Sequence, residues 1–151
     1  MEELVDLLIE KKYTISMAES CTGGLLAACI VSVPDASKVL QESFVTYTEE
    51  SKIKYAHVKE ETIKKYSVVS EEVALEMAKG VQKEANSNVG IGITGYAGPT
   101  GDNVGLVCFG LAINDKSYSY EMWFNGTRND IRAKAVEFIV TKTIEKLKEI
   151  S

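Results

Sequence analysis

Tyr13-Thr14-Ile15-Ser16-Met17, Ala18-Glu19-Ser20-Cys21-Thr22-Gly23-Gly24 and Leu25-Leu26-Ala27-Ala28-Cys29-Ile30-Val31 form one continuous stretch, and its reading decides the fold. The first run is apolar and strand-like, and residues 13–18 are read as a strand. The last run has helical character, and residues 22–33 are read as a helix ended near Pro34. Between them, a polar turn at a strand end that opens a helix puts a hydroxyl beside several free backbone N–H groups. Such a turn can bind an anion, or stabilise an oxyanion next to a serine nucleophile. It also reads as a helix cap whose two glycines allow close packing.

Outward from this stretch, short apolar runs alternate with amphipathic ones. Residues 1–12 form an amphipathic helix with Leu4, Leu7 and Leu8 on one face. Ser43-Phe44-Val45-Thr46-Tyr47 is rich in β-formers and predicts the second strand. Glu50–Tyr55 predicts a short helical turn and Lys59–Tyr66 another short helix. Ser70 then caps a helix with Glu71 and Glu72 in its first turn and Val73, Met77 and Val81 on its apolar face. Asn88–Thr94 is a buried-type strand, followed by the loop from Gly95 to Asn103. Val104–Ile113 and Lys116–Phe124, joined at Asn114-Asp115, form a hairpin. A long helix starts at Thr127. Early strands separated by helices pair in parallel, and the late hairpin must be antiparallel. The expectation is a single domain over residues 1–151, an α/β fold with helices on both faces of a mixed sheet.

The 151 residues suit one domain that buries about 68–70% of its unfolded surface. No apolar run approaches the ~20 residues of a membrane span, and the amino-terminal residues do not read as a signal peptide. A net charge of −5 argues against broad nucleic-acid binding, which needs phosphate neutralisation. One small phosphorylated ligand held by a few local cations remains compatible with it. Cys21, Cys29 and Cys108 are odd in number and lack metal-type spacing, so free thiols in a reducing cytoplasm are expected. His57 is the lone histidine. It reads as a surface residue at the end of a short helix, leaving no convincing metal cluster and no Ser-His-Asp triad.

Polar constellations fall at strand ends and loops, where open α/β sheets build their sites. Ser20 with Thr22, Gly23 and Gly24 is the first. Tyr47, with Lys52 five residues later, is the second. Thr94 with Gly95, Gly98 and the rest of the loop to Gly101 is the third. Gly126-Thr127-Arg128 opens the last helix, and Arg132 follows one turn later. Each has a plainer alternative: a solvated lysine, an ordinary loop, arginines paired with Asp130 or Glu137.

Taken together, these residues resemble the C-terminal domain of the CinA family, the nicotinamide-nucleotide amidases of the PncC type, over essentially the whole chain. The resemblance rests on Ala18–Leu25, on Tyr47 with Glu50 and Lys52, and on Val69-Ser70-Glu71. It continues through Thr94-Gly95 before Ala97-Gly98-Pro99, and through Gly126, Arg128, Ile131 and Arg132. The sequence departs from the family pattern in the loop after Pro99, which is shorter and lacks a Lys-Pro pair, and at Tyr96, where isoleucine is frequent. The resemblance implies a three-layer α/β/α sandwich with a mixed, mostly parallel sheet of about five strands. It implies hydrolysis of nicotinamide mononucleotide to nicotinate mononucleotide and ammonia, with no cofactor and no metal, by a cytoplasmic homo-oligomer. A weakly active or inactive nucleotide-binding relative is the alternative. A pyrophosphatase is disfavoured by the lack of acidic clusters for Mg²⁺.

The resemblance assigns Ser20 as nucleophile and Lys52 as its base. Only about one lysine in 2,500 is neutral at pH 7 at the reference pKa of ~10.4, so desolvation or a nearby cation has to lower it. Arg128 or Arg132 are the candidates for that cation and for meeting the substrate phosphate. Backbone N–H groups of residues 20–24 and the Thr94 hydroxyl are candidates for holding the oxyanion. Tyr47 is expected to position Lys52 or to hydrogen-bond Ser20.

Overall fold

Five strands, β1 (Ile15–Glu19), β2 (Leu40–Val45), β3 (Val89–Gly95), β4 (Leu106–Ile113) and β5 (Lys116–Trp123), make one sheet in the order β2-β1-β3-β4-β5 in a computed structural model that describes residues 1–150. β1 pairs in parallel with β2 and β3, while β4 is antiparallel to both β3 and β5. Four strands therefore run one way and β4 alone runs the other. The expected mixed, mostly parallel α/β sandwich is the fold observed.

Six helices cover the sheet: α1 (Glu2–Lys11), α2 (Leu25–Val31), α3 (Glu49–Ala56), α4 (Glu60–Tyr66), α5 (Glu71–Ala85) and α6 (Arg128–Lys148). Strand alternation sorts them into two layers. Ile15 and Met17 of β1, Val89, Ile91 and Ile93 of β3, and Val107, Phe109 and Leu111 of β4 face α1, α2 and α6 in the larger core. The opposite face is made of small residues and receives α5 with its neighbours α3 and α4. A Cβ on Gly92 or on Gly110 would lie 2.3 or 2.2 Å from the Ala74 carbonyl oxygen of α5. These glycines let the helix backbone rest on the strands.

Local signals explain most boundaries. Ser70 caps α5, its hydroxyl accepting from Val73 N–H. Thr127 caps α6 with Asp130 in a reciprocal capping box. Asn114 takes the left-handed conformation (φ 52°) that the β4–β5 turn requires. Strand ends shift by one or two residues from the sequence reading, and two larger differences bear on the site. Residues 21–24 form a turn ahead of α2, with Gly23 and Gly24 at φ 57° and 98°. β2 starts at Leu40 and ends before Tyr47, because pairing with β1 sets its limits (Ile15 with Leu40, Glu19 with Val45). Its exposed edge residues Gln41, Glu42 and Ser43 carry no β-forming signal.

The chain leaves β1 through α2 on one face and reaches β3 through α3–α5 on the other. The carboxyl ends of β1, β2 and β3 thus surround the point where the winding reverses, the usual place for a site in an open α/β sheet.

Candidate active site

A cleft of about 360 Å³ opens at this point, within the size range of small-molecule sites. Ser20 and Cys21 enter it from the end of β1, and Tyr47, Thr48, Glu49 and Lys52 from the β2–α3 corner. Val68 and Val69 line it ahead of α5, Thr94 through Gly98 with Thr100 follow β3, and Arg128 comes from α6. No three His, Cys, Asp or Glu side chains among the described residues converge as a metal site. His57 lies elsewhere, as the cap of α3, its Nε2 2.9 Å from Glu84 Oε2 on the surface.

Lys52 defines the floor. Thr48 caps α3 in a box with Ser51, which places Lys52 in the first helical turn with its side chain directed back onto the sheet end. It is only 2% exposed. Its Nζ donates to Ser20 Oγ at 3.2 Å, to the Thr46 carbonyl at 2.9 Å and to the Tyr47 carbonyl at 3.4 Å. Burial pulls its pKa from 10.5 down to about 8, opposed by the Cys21 thiol where it ionises and by the Glu49 carboxylate. Burial, rather than a neighbouring arginine, supplies the shift that the residue types demanded. The adjacent Cys21 thiol moves the other way, pushed up to about 11 by burial against the lowering effects of its own backbone N–H, Arg132 and Lys52. At neutral pH it is a protonated thiol, and the hydroxyl that Lys52 contacts in the cleft is that of Ser20.

Tyr47 touches Lys52 through its main-chain carbonyl only. Its ring is exposed, and its hydroxyl accepts from Arg128 Nη2 at 3.2 Å at the mouth of the cleft. Arg128 Nη1 donates to the Gly98 carbonyl, so this arginine bridges the β2–α3 corner and the β3–β4 loop. The Thr94 hydroxyl donates to the Val68 carbonyl at 3.0 Å. Its proton is therefore engaged in tying β3 to the α4–α5 loop.

Thr22, Gly23, Gly24 and Arg132 stand behind the cleft and do not line it. Arg132 Nε and Nη2 donate to the carbonyls of Cys21 and Thr22 at 3.0 and 2.7 Å. The amino end of α2 is not open to a ligand either. Buried Glu19 fills it, accepting from Leu26 N–H at 2.9 Å and from Ala27 N–H at 3.0 Å. The amino end of α6 carries its own capping box, with Asp130 accepting from Thr127 N–H at 2.9 Å. The helix end that the sequence offered as an anion site, that of α2, is thus occupied by the protein's own Glu19 carboxylate. Glu19 was the residue that sequence reasoning passed over. Its one signal is an acidic side chain placed directly before a glycine turn and a helix start.

Over residues 1–147 the chain matches the family described as CinA C-terminal domain. A protein of Alkaliphilus oremlandii, provisionally named competence-damage inducible protein, is 49% identical over 143 residues, which cover 91% of this chain and 35% of its own length. A CinA-like protein of Kosmotoga olearia is 48% identical over 141 residues, 91% of this chain and 34% of its own. The chain thus spans about a third of the length of these relatives. Competence damage-inducible protein A from Klebsiella pneumoniae superposes with a TM-score of 0.95 at 32% identity, covering 99% of this chain and 95% of that one. A CinA superfamily protein from Escherichia coli gives 0.87 at 37% identity, covering 92% and 85%. A family match that runs from the first residue into the last helix, on a fold that superposes this closely, means that the chain belongs to the CinA C-terminal domain family.

Proposed function

We propose that this protein is an amidohydrolase that converts nicotinamide mononucleotide to nicotinate mononucleotide and ammonia by a Ser20–Lys52 mechanism. The observation that carries this reading is the buried Lys52 amine, hydrogen-bonded to the Ser20 hydroxyl with backbone carbonyls as its other partners. An amine whose pKa is lowered to about 8 can be neutral often enough to act as a base. Neutral Lys52 takes the Ser20 proton as Oγ bonds to the carboxamide carbon. The protonated lysine then gives that proton to the leaving nitrogen as the C–N bond breaks, releasing ammonia and leaving an ester on Ser20. Lys52 next deprotonates a water, which cleaves the ester and frees the carboxylate. The Cys21 N–H, on the residue after the nucleophile, is the main-chain donor suited to the oxyanion.

Arg128 at the cleft mouth suits a substrate phosphate, and its present partners are neutral oxygens that an anion can outcompete. Ammonia release from nicotinamide mononucleotide, compared with nicotinamide riboside, tests both parts. The wild-type protein is expected to favour the mononucleotide. Arg128→Ala is expected to lose that preference by about 10- to 150-fold, the equivalent of roughly 1.5–3 kcal/mol for a charge-assisted contact. Nucleotide binding without ammonia release points instead to an inactive binding relative, a reading favoured by the short 100–105 loop. Equal losses on both substrates in Arg128→Ala remove the phosphate role.

A further inference from the structure

The reach of a serine nucleophile depends on how steadily its main chain is held, because a misplacement of about 1 Å can cost a hundredfold in rate. The turn that carries Ser20 has few bonds of its own. Gly23 N–H donates to the Ser20 carbonyl at 2.9 Å and Leu25 N–H to the Thr22 carbonyl at 3.0 Å. Gly23 and Gly24 adopt left-handed conformations that cost glycine little, so they also resist deformation little. Two charged side chains outside the cleft grip this turn from opposite ends. Glu19 holds the following helix through Leu26 and Ala27. Arg132, 111 residues away in sequence from Cys21, holds the carbonyls of Cys21 and Thr22 with two arms of its guanidinium. Its third arm donates to Asn129 Oδ1 at 3.0 Å, anchoring the guanidinium to its own helix. The same group packs against Gly23, where a Cβ would lie 3.5 Å from Nη2.

We propose that Arg132 is a positioning residue for Ser20, gripping the 21–22 and 22–23 peptides from α6 against the support of Glu19. In a trans peptide the N–H points opposite to the carbonyl. Fixing the Cys21 carbonyl on Arg132 therefore turns the Thr22 N–H away from α6, and the hydrogen bond polarises that peptide. The two arginines of α6 thus divide their work: Arg128 reaches into the cleft, and Arg132, one turn later, braces the nucleophile from behind. This inference rests on the Ser20–Lys52 reading.

The test uses the full chain, Arg132→Ala and Arg132→Lys. It measures the rate of Ser20 labelling by a fluorophosphonate probe, kcat and KM on nicotinamide mononucleotide and on the riboside, and thermal melting. Arg132→Ala is expected to label Ser20 at least about 10-fold more slowly and to lose kcat by a similar factor on both substrates, with little change in KM. Guanidinium chloride at millimolar concentration should restore part of both rates, because it returns the missing planar donor. Arg132→Lys should recover less, since an ammonium cannot serve two carbonyls in a fixed fork. If Arg132→Ala does not fold, the lysine variant, measured below its melting temperature, carries the same comparison. Unchanged labelling and kcat overturn the proposal, as does a KM rise confined to the mononucleotide, which would make Arg132 a phosphate reader. Wild-type protein that labels at Ser20 but releases no ammonia overturns the amidase reading and leaves Arg132 testable by labelling. Wild-type protein that does not label at Ser20 removes the dyad and this proposal with it.

Discussion

Lys52 reaches Ser20 with its amine among main-chain carbonyls and almost no water. With a pKa of about 8, about a tenth of it is neutral at pH 7. kcat/KM is therefore expected to rise roughly tenfold per unit as pH approaches 8 and to level off above it, following the neutral amine. Ser20→Ala and Lys52→Ala should each lose more than ~10³ in rate, and the double variant should be no worse than either, because groups acting as one unit are strongly non-additive. Lys52→Arg should not restore activity, since a guanidinium does not give up its proton. A flat pH profile, or losses that multiply in the double variant, would assign the proton transfer to another group. Their places at strand ends made Ser20 and Lys52 candidates, and the family resemblance gave them the roles of nucleophile and base. That Arg128 faces the cleft and Arg132 turns away from it could not be read from a spacing of four, which places both on nearly the same face of α6.

Among the elements, α5 matters most for the shape of the site. It covers the small-residue face of the sheet, and the loop before it holds Thr94 through Val68. The glycines of β3 were legible as a buried strand, but their purpose was not. Gly92 lies under the Ala74 carbonyl, where an added Cβ would come within 2.3 Å of backbone oxygen and 2.7 Å of the Met77 side chain. Neither β3 nor α5 can yield without opening the sheet. Gly92→Ala is expected to destabilise the protein by at least ~1–3 kcal/mol, the range for overpacked cores. The measurement is a lower denaturation midpoint with an unchanged denaturant slope. A neutral result would mean that α5 slides on the sheet more freely than this packing implies. Caps and turns behaved differently: Ser70, Thr127 and Asn114 sit where the sequence put them, because each is a contract among neighbours.

On the scale of the whole molecule, the fold bears the cost of keeping an ammonium at its floor. A pKa lowered from 10.5 to about 8 corresponds to about 3 kcal/mol of disfavoured charge. Part of the gain on removing it is lost again, because the carbonyls that Lys52 serves lose a donor, at about 1–3 kcal/mol. Lys52→Met should therefore raise Tm modestly, by about 2–4 °C for each kcal/mol gained. The difference should be full below about pH 8 and shrink toward pH 10.5. In that window the wild-type amine loses its proton in the folded state before the unfolded one, so the native protein gains stability as pH rises. A lower Tm in Lys52→Met would show that the hydrogen bonds of Lys52 outweigh its desolvation. Periodicity, caps and the polar turn after β1 were enough for the sequence by itself to determine the layered α/β fold, the hairpin and the place of Ser20, because these depend on residues within a turn or two of one another. Only the tertiary structure decided the limits of β2, the filling of the α2 amino end by Glu19, the different contacts of Arg128 and Arg132, and the burial that lowers the Lys52 pKa. Edge pairing, desolvation and hydrogen bonds between residues far apart in sequence exist only once the chain has closed around them.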